Sequence, residues 1–251
     1  MVRLTATSPA VWHDVECASY DADLPLWRSL AEAAGGPVLD VGCGTGRVAL
    51  DLAARGHEVT GLDCEPDLTA ALSRRARERG LPVDAHTADA RSFDLGGGRR
   101  FALAIAPMQV AQLLGGADGR AAMLACVRRH LAPGALAAVA LADPLESIPD
   151  DEEPLPPLPD VREEDGWVYS STPINVREQP DGATAIDRLR QAVSPGGELD
   201  ESFAVIVLDA VRPERLEEEA RAVGGFAVRE RRQVPATADY VGSSVVMLEA
   251  I

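Results

Sequence analysis

The sequence predicts an α/β protein: a parallel sheet covered by helices on both faces, followed by a small antiparallel β unit. Three observations predict it. Short apolar runs alternate with segments of helical spacing from Val38 to Leu141, an order that builds strand-helix-strand units and so parallel pairing. The stretch from Asp143 to Asp160 then holds six prolines and seven acidic residues, too polar and too kinked to pack as a core element. Beyond it, extended runs are separated by Pro-Asp-Gly and Pro-Gly-Gly, the turn signals of an antiparallel meander.

In order, Val38 to Val41 lies between Gly-Gly-Pro and Gly-Cys-Gly, the pattern of a short strand buried on both faces. Arg47 to Arg55 reads as a helix and Glu58 to Leu62 as a second strand. Pro66 to Gly80 sets Leu68, Ala71, Leu72 and Ala76 at helical spacing, with Gly80 as the stop. Val83 to Thr87 and Phe101 to Ala106 are the third and fourth strands. Arg120 to Leu131 is a helix closed by Pro133-Gly134, and Ala135 to Leu141 is the fifth strand. Trp167 to Arg177, Ala183 to Val193 and Glu201 to Val211 form the meander. A helix from Pro213 to Val223, with proline at its start and Gly224-Gly225 past its end, leads to two last strands, Phe226 to Val234 and Ser243 to Glu249, which complete the main sheet.

A chain of 251 residues with 46% hydrophobic content buries a full core as one domain, or one domain with a cap. Its 40 acidic and 24 basic residues give a formal charge of -16, so the average surface repels phosphate backbones and anionic membranes. Neither nucleic acid nor a membrane is an expected partner. All 24 basic residues are arginine, which removes chemistry that requires a lysine amine, such as a Schiff base or a Walker phosphate lysine. Cys17, Cys43, Cys64 and Cys126 show no Cys-x-x-Cys spacing and the four histidines are scattered, so no metal site or disulfide framework is expected. With no apolar block at the start and no run of about eighteen apolar residues, the expectation is a cytoplasmic protein without a signal peptide or membrane span.

The informative segment is Val38-Leu-Asp-Val-Gly-Cys-Gly-Thr-Gly46, in which strand, glycine turn and helix start are contiguous. Gly42, Gly44 and Gly46 lie where bare backbone approaches a ligand closely, beside helix N-terminal amides. That points to a nucleotide-like ligand; the competing reading is a tight turn with no ligand. Asp63 sits at the end of the next strand, about twenty residues on, where a carboxylate accepts from both ribose hydroxyls. The dinucleotide fingerprint wants its third glycine at position 47, and a bulky Arg47 there argues against NAD.

These residues resemble the class I S-adenosylmethionine-dependent methyltransferases of the small-molecule branch, through Leu39-Asp-Val-Gly-Cys-Gly-Thr-Gly46, Gly56-His-Glu-Val-Thr-Gly-Leu-Asp63 and Ala88-Asp-Ala-Arg91. The resemblance covers Asp21 to Asp143 well and the rest loosely. It implies a Rossmann-like parallel sheet with an antiparallel last strand, and S-adenosylmethionine as cofactor. It divides the chain into N-terminal lid helices (1–34), a cofactor-binding core (35–143), a proline- and acid-rich connection (144–165), an antiparallel β cap (166–211) and a C-terminal helix and strands that complete the sheet (212–251). By the same resemblance Asp40 and Gly42 face the methionine end, Gly44 lies near the sulfonium nucleoside with Cys43 beside it, and Asp63, followed by Cys64, holds the ribose. Asp89 and the Ala90 backbone take the adenine, with a turn residue capping a loop as the lesser, competing reading of Asp89, and Ala106 and Pro107 border the methyl group. Tyr20 resembles the lid aromatic whose hydroxyl reaches back to the cofactor. Trp27 reads as core, and Trp12 as either core or pocket.

Methyl transfer from a sulfonium is an in-line displacement from an activated donor, so alignment and exclusion of water matter more than acid-base machinery. An amine acceptor need only arrive unprotonated, whereas a hydroxyl or phenol benefits from a base. By position the catalytic candidates are His13, Gln109 as an orienting amide, and Tyr240; Gln109 and Gln112 would share one helix face. Ala106-Pro-Met-Gln109 lacks the Asn-Pro-Pro-aromatic signature of nucleic-acid base methyltransferases and the acidic cluster of magnesium-dependent catechol enzymes. The expected function is methyl transfer to a nitrogen or oxygen of a small metabolite. The alternative from another class is a non-catalytic cofactor-binding or regulatory protein. The meander resembles the cap of sugar-amine and glycine-type N-methyltransferases, with Trp167, Tyr169, Arg188 and Arg190 as acceptor-side candidates, and its edge serves equally for a homodimer.

Overall fold

The alternation of strands and helices between residues 38 and 142 is present in the computed structural model, which describes residues 8–96, 98–143, 158–238 and 240–251. The elements are α1 (Pro9–Cys17), α2 (Leu24–Ala34), β1 (Val38–Val41), α3 (Arg47–Ala54), β2 (Val59–Asp63), α4 (Pro66–Arg79), β3 (Val83–Thr87), β4 (Phe101–Ala106), a 3-10 turn (Val110–Leu113), α5 (Ala117–His130) and β5 (Leu131–Ala142). Then come β6 (Asp160–Glu164), β7 (Trp167–Glu178), β8 (Thr184–Val193), β9 (Leu199–Leu208), α6 (Pro213–Val223), β10 (Phe226–Val234) and β11 (Ser243–Ala250). Local chemistry sets the helix limits. In α4 the Glu65 side chain accepts from the Asp67 amide, Pro66 occupies the first turn, and Gly80 at φ 63 terminates the helix.

The chain divides into two units, a core unit of Tyr20–Asp143 and Val211–Ile251, and a sheet unit of Met1–Ser19 and Pro144–Ala210. The core unit holds a seven-stranded sheet in the order β10-β11-β5-β4-β1-β2-β3. β1 runs parallel to β2 and β4, and β11 is antiparallel to both β5 and β10. Alternation along the strands fills both faces. Leu39 and Val41 pack with Met123 and Leu124 of α5 and Leu216 of α6, while Val38, Leu103 and Ile105 pack with Trp27 of α2, Leu52 of α3 and Leu72 of α4. Each such leucine contributes about 1.5–3 kcal/mol by leaving water. Because α3 and α4 cover one face and α5 the other, the winding reverses between β1 and β4. Open α/β sheets bind ligands at such a reversal, at the carboxyl ends of these strands.

In the sheet unit, β6-β7-β8-β9 form an antiparallel sheet. Trp12 and Val15 of α1 pack with Tyr169 and Ala192 on it, and the rings of Trp12 and Tyr169 meet edge to face at 5.8 Å. Ser171 donates to Glu16 at 2.7 Å, and Arg190 forks onto Glu16 at 2.7 and 2.9 Å.

Two expectations are corrected. Pro133-Gly134 does not separate helix from strand: β5 begins at Leu131, and the pairing with β4 jumps from Phe101↔Leu131 to Leu103↔Leu136, so the pair is a bulge that absorbs residues a proline keeps out of the ladder. Asp160–Glu164, expected inside the connection, is strand β6 paired to β7; the connection as far as residue 157 lies outside the described residues. Of the two helices in 1–34, α1 belongs to the sheet unit and α2 to the core unit. Among the described residues no helix is long and apolar enough to cross a membrane, and no group of three or more His, Cys, Asp or Glu is placed to hold a metal.

Candidate active site

The core unit gathers most of the expected residues at the carboxyl ends of β1, β2 and β4. The chain leaving β1 turns sharply through Gly42 (φ 70) to Gly46 (φ 97), backbone geometry that side chains resist. A Cβ on Gly42 would stand 2.5 Å from Val110 Cγ2, and one on Gly46 would stand 2.3 Å from Leu72 Cδ1. The turn is held by its own amides: Gly42 and Cys43 both donate to the Leu62 carbonyl at 2.8 and 2.9 Å, and Gly46 donates to Cys43 at 2.9 Å.

Asp63 ends β2 and is locked to that turn. Gly44 N–H donates to its Oδ2 and Glu65 N–H to its Oδ1, each at 3.0 Å. Two fixed amides leave each carboxylate oxygen further lone-pair capacity, so the group is oriented without being saturated. Asp40 is different. It is only 1% exposed and neither oxygen has a hydrogen-bond partner. Burial pushes its carboxyl up to about 7, against the downward pull of Arg47 and a weaker one from the Ala49 amide, which stands too poorly placed to make a full hydrogen bond, with Asp63 and Asp23 adding to the rise. A buried carboxylate without a donor is costly and needs an explanation.

Cys43 is buried and packs its sulfur beneath Gly61, with burial raising its thiol well above the usual range. Its thiol also donates to the Gly44 carbonyl at 3.7 Å, within the turn. Cys64 is exposed directly after Asp63. Asp89 is forked by Arg91, whose Nε and Nη2 approach at 3.0 and 2.6 Å, and its Oδ1 accepts the Arg91 amide at 2.8 Å. The carboxyl is held below its ordinary value by this arginine. In this structure Asp89 therefore has the geometry of the loop-capping alternative, with Ala90 buried beside it.

Ala106 and Pro107 are buried at the end of β4. Met108 follows with φ 57, a strained conformation for this residue type that sequence reasoning did not anticipate. Gln109 and Gln112 do not present one solvated helix face. The Gln109 carbonyl accepts from Gln112 N–H at 2.8 Å, and the buried Gln112 side chain accepts the Ala142 amide at 2.8 Å, pinning the 3-10 turn to β5. Tyr240 meets Tyr20 with ring centroids 4.9 Å apart. The Tyr20 hydroxyl is raised by burial and by Asp23 and lowered by Arg47 and a hydrogen bond to Ser243.

The remaining candidates lie in the sheet unit. His13 is half-buried on α1. Arg188 bonds Asp160 and Ser171, and Arg190 engages Glu16 while its guanidinium stands 5.4 Å from the Trp12 ring centroid. Those two arginines hold α1 and β6 to the sheet, which makes them packing groups rather than open acceptor contacts. Trp12 is buried in that cluster, and Trp167 stacks on Tyr169 at 6.1 Å.

Sequence reasoning missed a set of three. Arg47 Nη1 and Nη2 fork onto Asp23 at 2.6 and 2.7 Å, and Nη1 also donates to the Tyr20 carbonyl at 2.8 Å. Trp27, fully buried as expected, donates its indole N–H to the same Asp23 carboxylate at 2.8 Å. Arg47 lies 24 residues from Asp23 and 27 from Tyr20, so no local spacing signals those contacts, whereas Trp27 follows Asp23 by four residues.

Residues 38–134 match the family model described as a methyltransferase domain. A ubiquinone biosynthesis O-methyltransferase of Chromobacterium violaceum is 29% identical over 142 residues, covering 57% of this chain and 46% of the relative. The sugar N-methyltransferase KedS8 from Streptoalloteichus superimposes with a TM-score of 0.73 at 20% identity, covering 98% of this chain and 95% of that one. S-adenosylmethionine-bound CalS10, an amino pentose methyltransferase from Micromonospora echinaspora, gives a TM-score of 0.67 at 21% identity with full coverage of both. The chain spans less than half the length of the curated relatives it matches.

Proposed function

We propose, from the match of residues 38–134 to a methyltransferase-domain model, that this chain is a class I S-adenosylmethionine-dependent enzyme that transfers a methyl group to a nitrogen or oxygen atom of a small metabolite. The observation that carries the reading is the orphaned, buried carboxylate of Asp40 beside a glycine turn and an oriented Asp63. A ligand with an ammonium group and a ribose gives Asp40 the donor it lacks and offers hydroxyls to the remaining lone pairs of Asp63, and S-adenosylmethionine has both.

When bound, that cofactor supplies a methyl group already activated on a sulfonium. The chain's own work is then placement. Asp40 would hold the ammonium end, Asp63 would accept from the ribose hydroxyls while its two amides keep it in register, and the buried Ala106-Pro107 wall would exclude water from the methyl group. Asp89 would reach the adenine only on release from Arg91, while the Ala90 backbone needs no such change. Tyr20 and Tyr240 would close the acceptor side, with the Gln109 amide as an orienting group. The role of His13 as a base rests on its sequence position alone. The net charge of -16 disfavours a polyanionic acceptor.

The test combines binding and turnover. S-adenosylhomocysteine should raise the melting temperature and NAD should not, and methyl-labelled cofactor should label a member of a panel of amine and phenol metabolites. Stabilisation by NAD alone would overturn the reading. Tight cofactor binding without transfer across the panel would support the non-catalytic alternative.

A further inference from the structure

Arg47 occupies the first turn of α3, directly after the glycine turn. A cation there opposes the positive end of the helix dipole, so the position calls for a compensating partner. The compensation is unusually complete. One guanidinium forks onto Asp23, donates to the Tyr20 carbonyl and stands 5.0 Å from the Tyr20 ring centroid. The side chains of Arg47 and Asp23 are 10% and 3% exposed. Asp23 in turn takes the Trp27 indole, which anchors the clasp in the fully buried part of α2. Tyr20 lies under the same guanidinium and against Tyr240. Beyond the apolar packing that Tyr20 shares with Cys43, Arg47 ties the segment from Tyr20 to Asp23 polarly to the start of α3, and a buried pair of this kind is strongly disrupted by loss of one partner.

Resting on the cofactor reading above, we infer that Arg47 is a positioning residue, a guanidinium clasp that holds Tyr20–Asp23 against the glycine turn and so sets how slowly bound cofactor leaves. The clasp is distinct from charge balance at Asp40, on which Arg47 also acts through space. Lysine retains the charge but not the planar fork, which separates the two roles.

The experiment uses the full chain and S-adenosylhomocysteine as probe, with association and dissociation followed by stopped-flow displacement for the wild type, R47M, R47K and D23N. All three variants should dissociate the probe faster, on the order of tenfold, with association changed much less. Ligand-free R47M and D23N should also show faster amide exchange across residues 20–27 and little change in α5. Should R47M not fold, R47K and D23N carry the comparison. Wild-type dissociation in R47K would assign Arg47 to charge balance and overturn the clasp, as would unchanged dissociation in folded R47M. If the wild-type chain binds no S-adenosylhomocysteine, the cofactor reading fails and the clasp falls with it; binding with unaltered release in the variants removes the clasp alone.

Discussion

Asp40 should make cofactor binding depend on pH near neutrality. In the ligand-free chain burial pushes its carboxyl up to about 7, with Arg47 pulling it down and Asp23 and Asp63 pushing it further up. An ammonium group is held by the ionised form, so binding requires the proton to leave. The ionised fraction is roughly one-tenth at pH 6 and nine-tenths at pH 8, which makes the dissociation constant for S-adenosylhomocysteine about tenfold weaker at the lower pH, or about 1.4 kcal/mol. Titration calorimetry in buffers of different ionisation enthalpy should read about half a proton released per ligand at pH 7. Folding carries the same signature with the opposite burden. The folded chain keeps the proton up to about pH 7 while the free carboxyl loses it near 3.8, so stability falls as pH rises through that window, by roughly 4 kcal/mol above it. D40N removes this cost and should melt higher than the wild type at pH 8, with the gain shrinking toward pH 4, while binding the ligand poorly at every pH. A flat affinity between pH 6 and 8, together with no gain in melting temperature for D40N, would refute the assignment.

Other substitutions probe separate parts of the core unit. Asp63→Ala removes the acceptor for the ribose hydroxyls and should weaken S-adenosylhomocysteine by about 1.5–3 kcal/mol in calorimetry, and unchanged affinity would count against its placement. Gly46→Ala forces a Cβ to 2.3 Å from Leu72 at φ 97 and should destabilise the chain by about 1–3 kcal/mol in denaturant titration, with cofactor affinity lost alongside. Glu219→Gln breaks the fork from Arg120 at 2.8 Å, where both side chains are 6% exposed. It should cost about 3–5 kcal/mol of stability while leaving cofactor affinity per folded molecule intact; equal losses in both would mean that the α5–α6 contact reaches the site.

The core sheet was readable because its determinants are local. Val83–Thr87, Phe101–Ala106, Pro213–Val223 and Phe226–Val234 have the predicted limits, each bounded by glycine, proline or a change of period that acts within a few residues. The glycine turn and Asp63 were readable for the same reason, since strand ends and turn chemistry place them without knowledge of distant packing. β6 was hidden because every residue of Asp160–Glu164 except Val161 is charged and the edge strand is stabilised by pairing to β7 rather than by its own burial. The bulge at Pro133-Gly134 looked like a helix stop because a strand continuing through a proline is visible only once its partner is known. Asp89 and Arg91 illustrate a further limit, because spacing shows that an acid is present but not which donor has claimed it.

Arg47 joins these points. Its bulk at the position of a third glycine was the sequence argument against a dinucleotide, and the structure supplies an electrostatic one. The guanidinium is consumed by Asp23 and the Tyr20 carbonyl, so it has no fork left for a phosphate, while Asp40 and Asp63 stand beside the same turn. A pyrophosphate placed there would meet the ionised form of Asp40 without a dedicated cation, and like charges in a partly dry site repel by amounts far larger than they would in water. A ligand carrying ammonium and sulfonium charges meets the reverse situation. The turn alone would accept either; the acids around it, and the arginine turned away from it, decide for the cation.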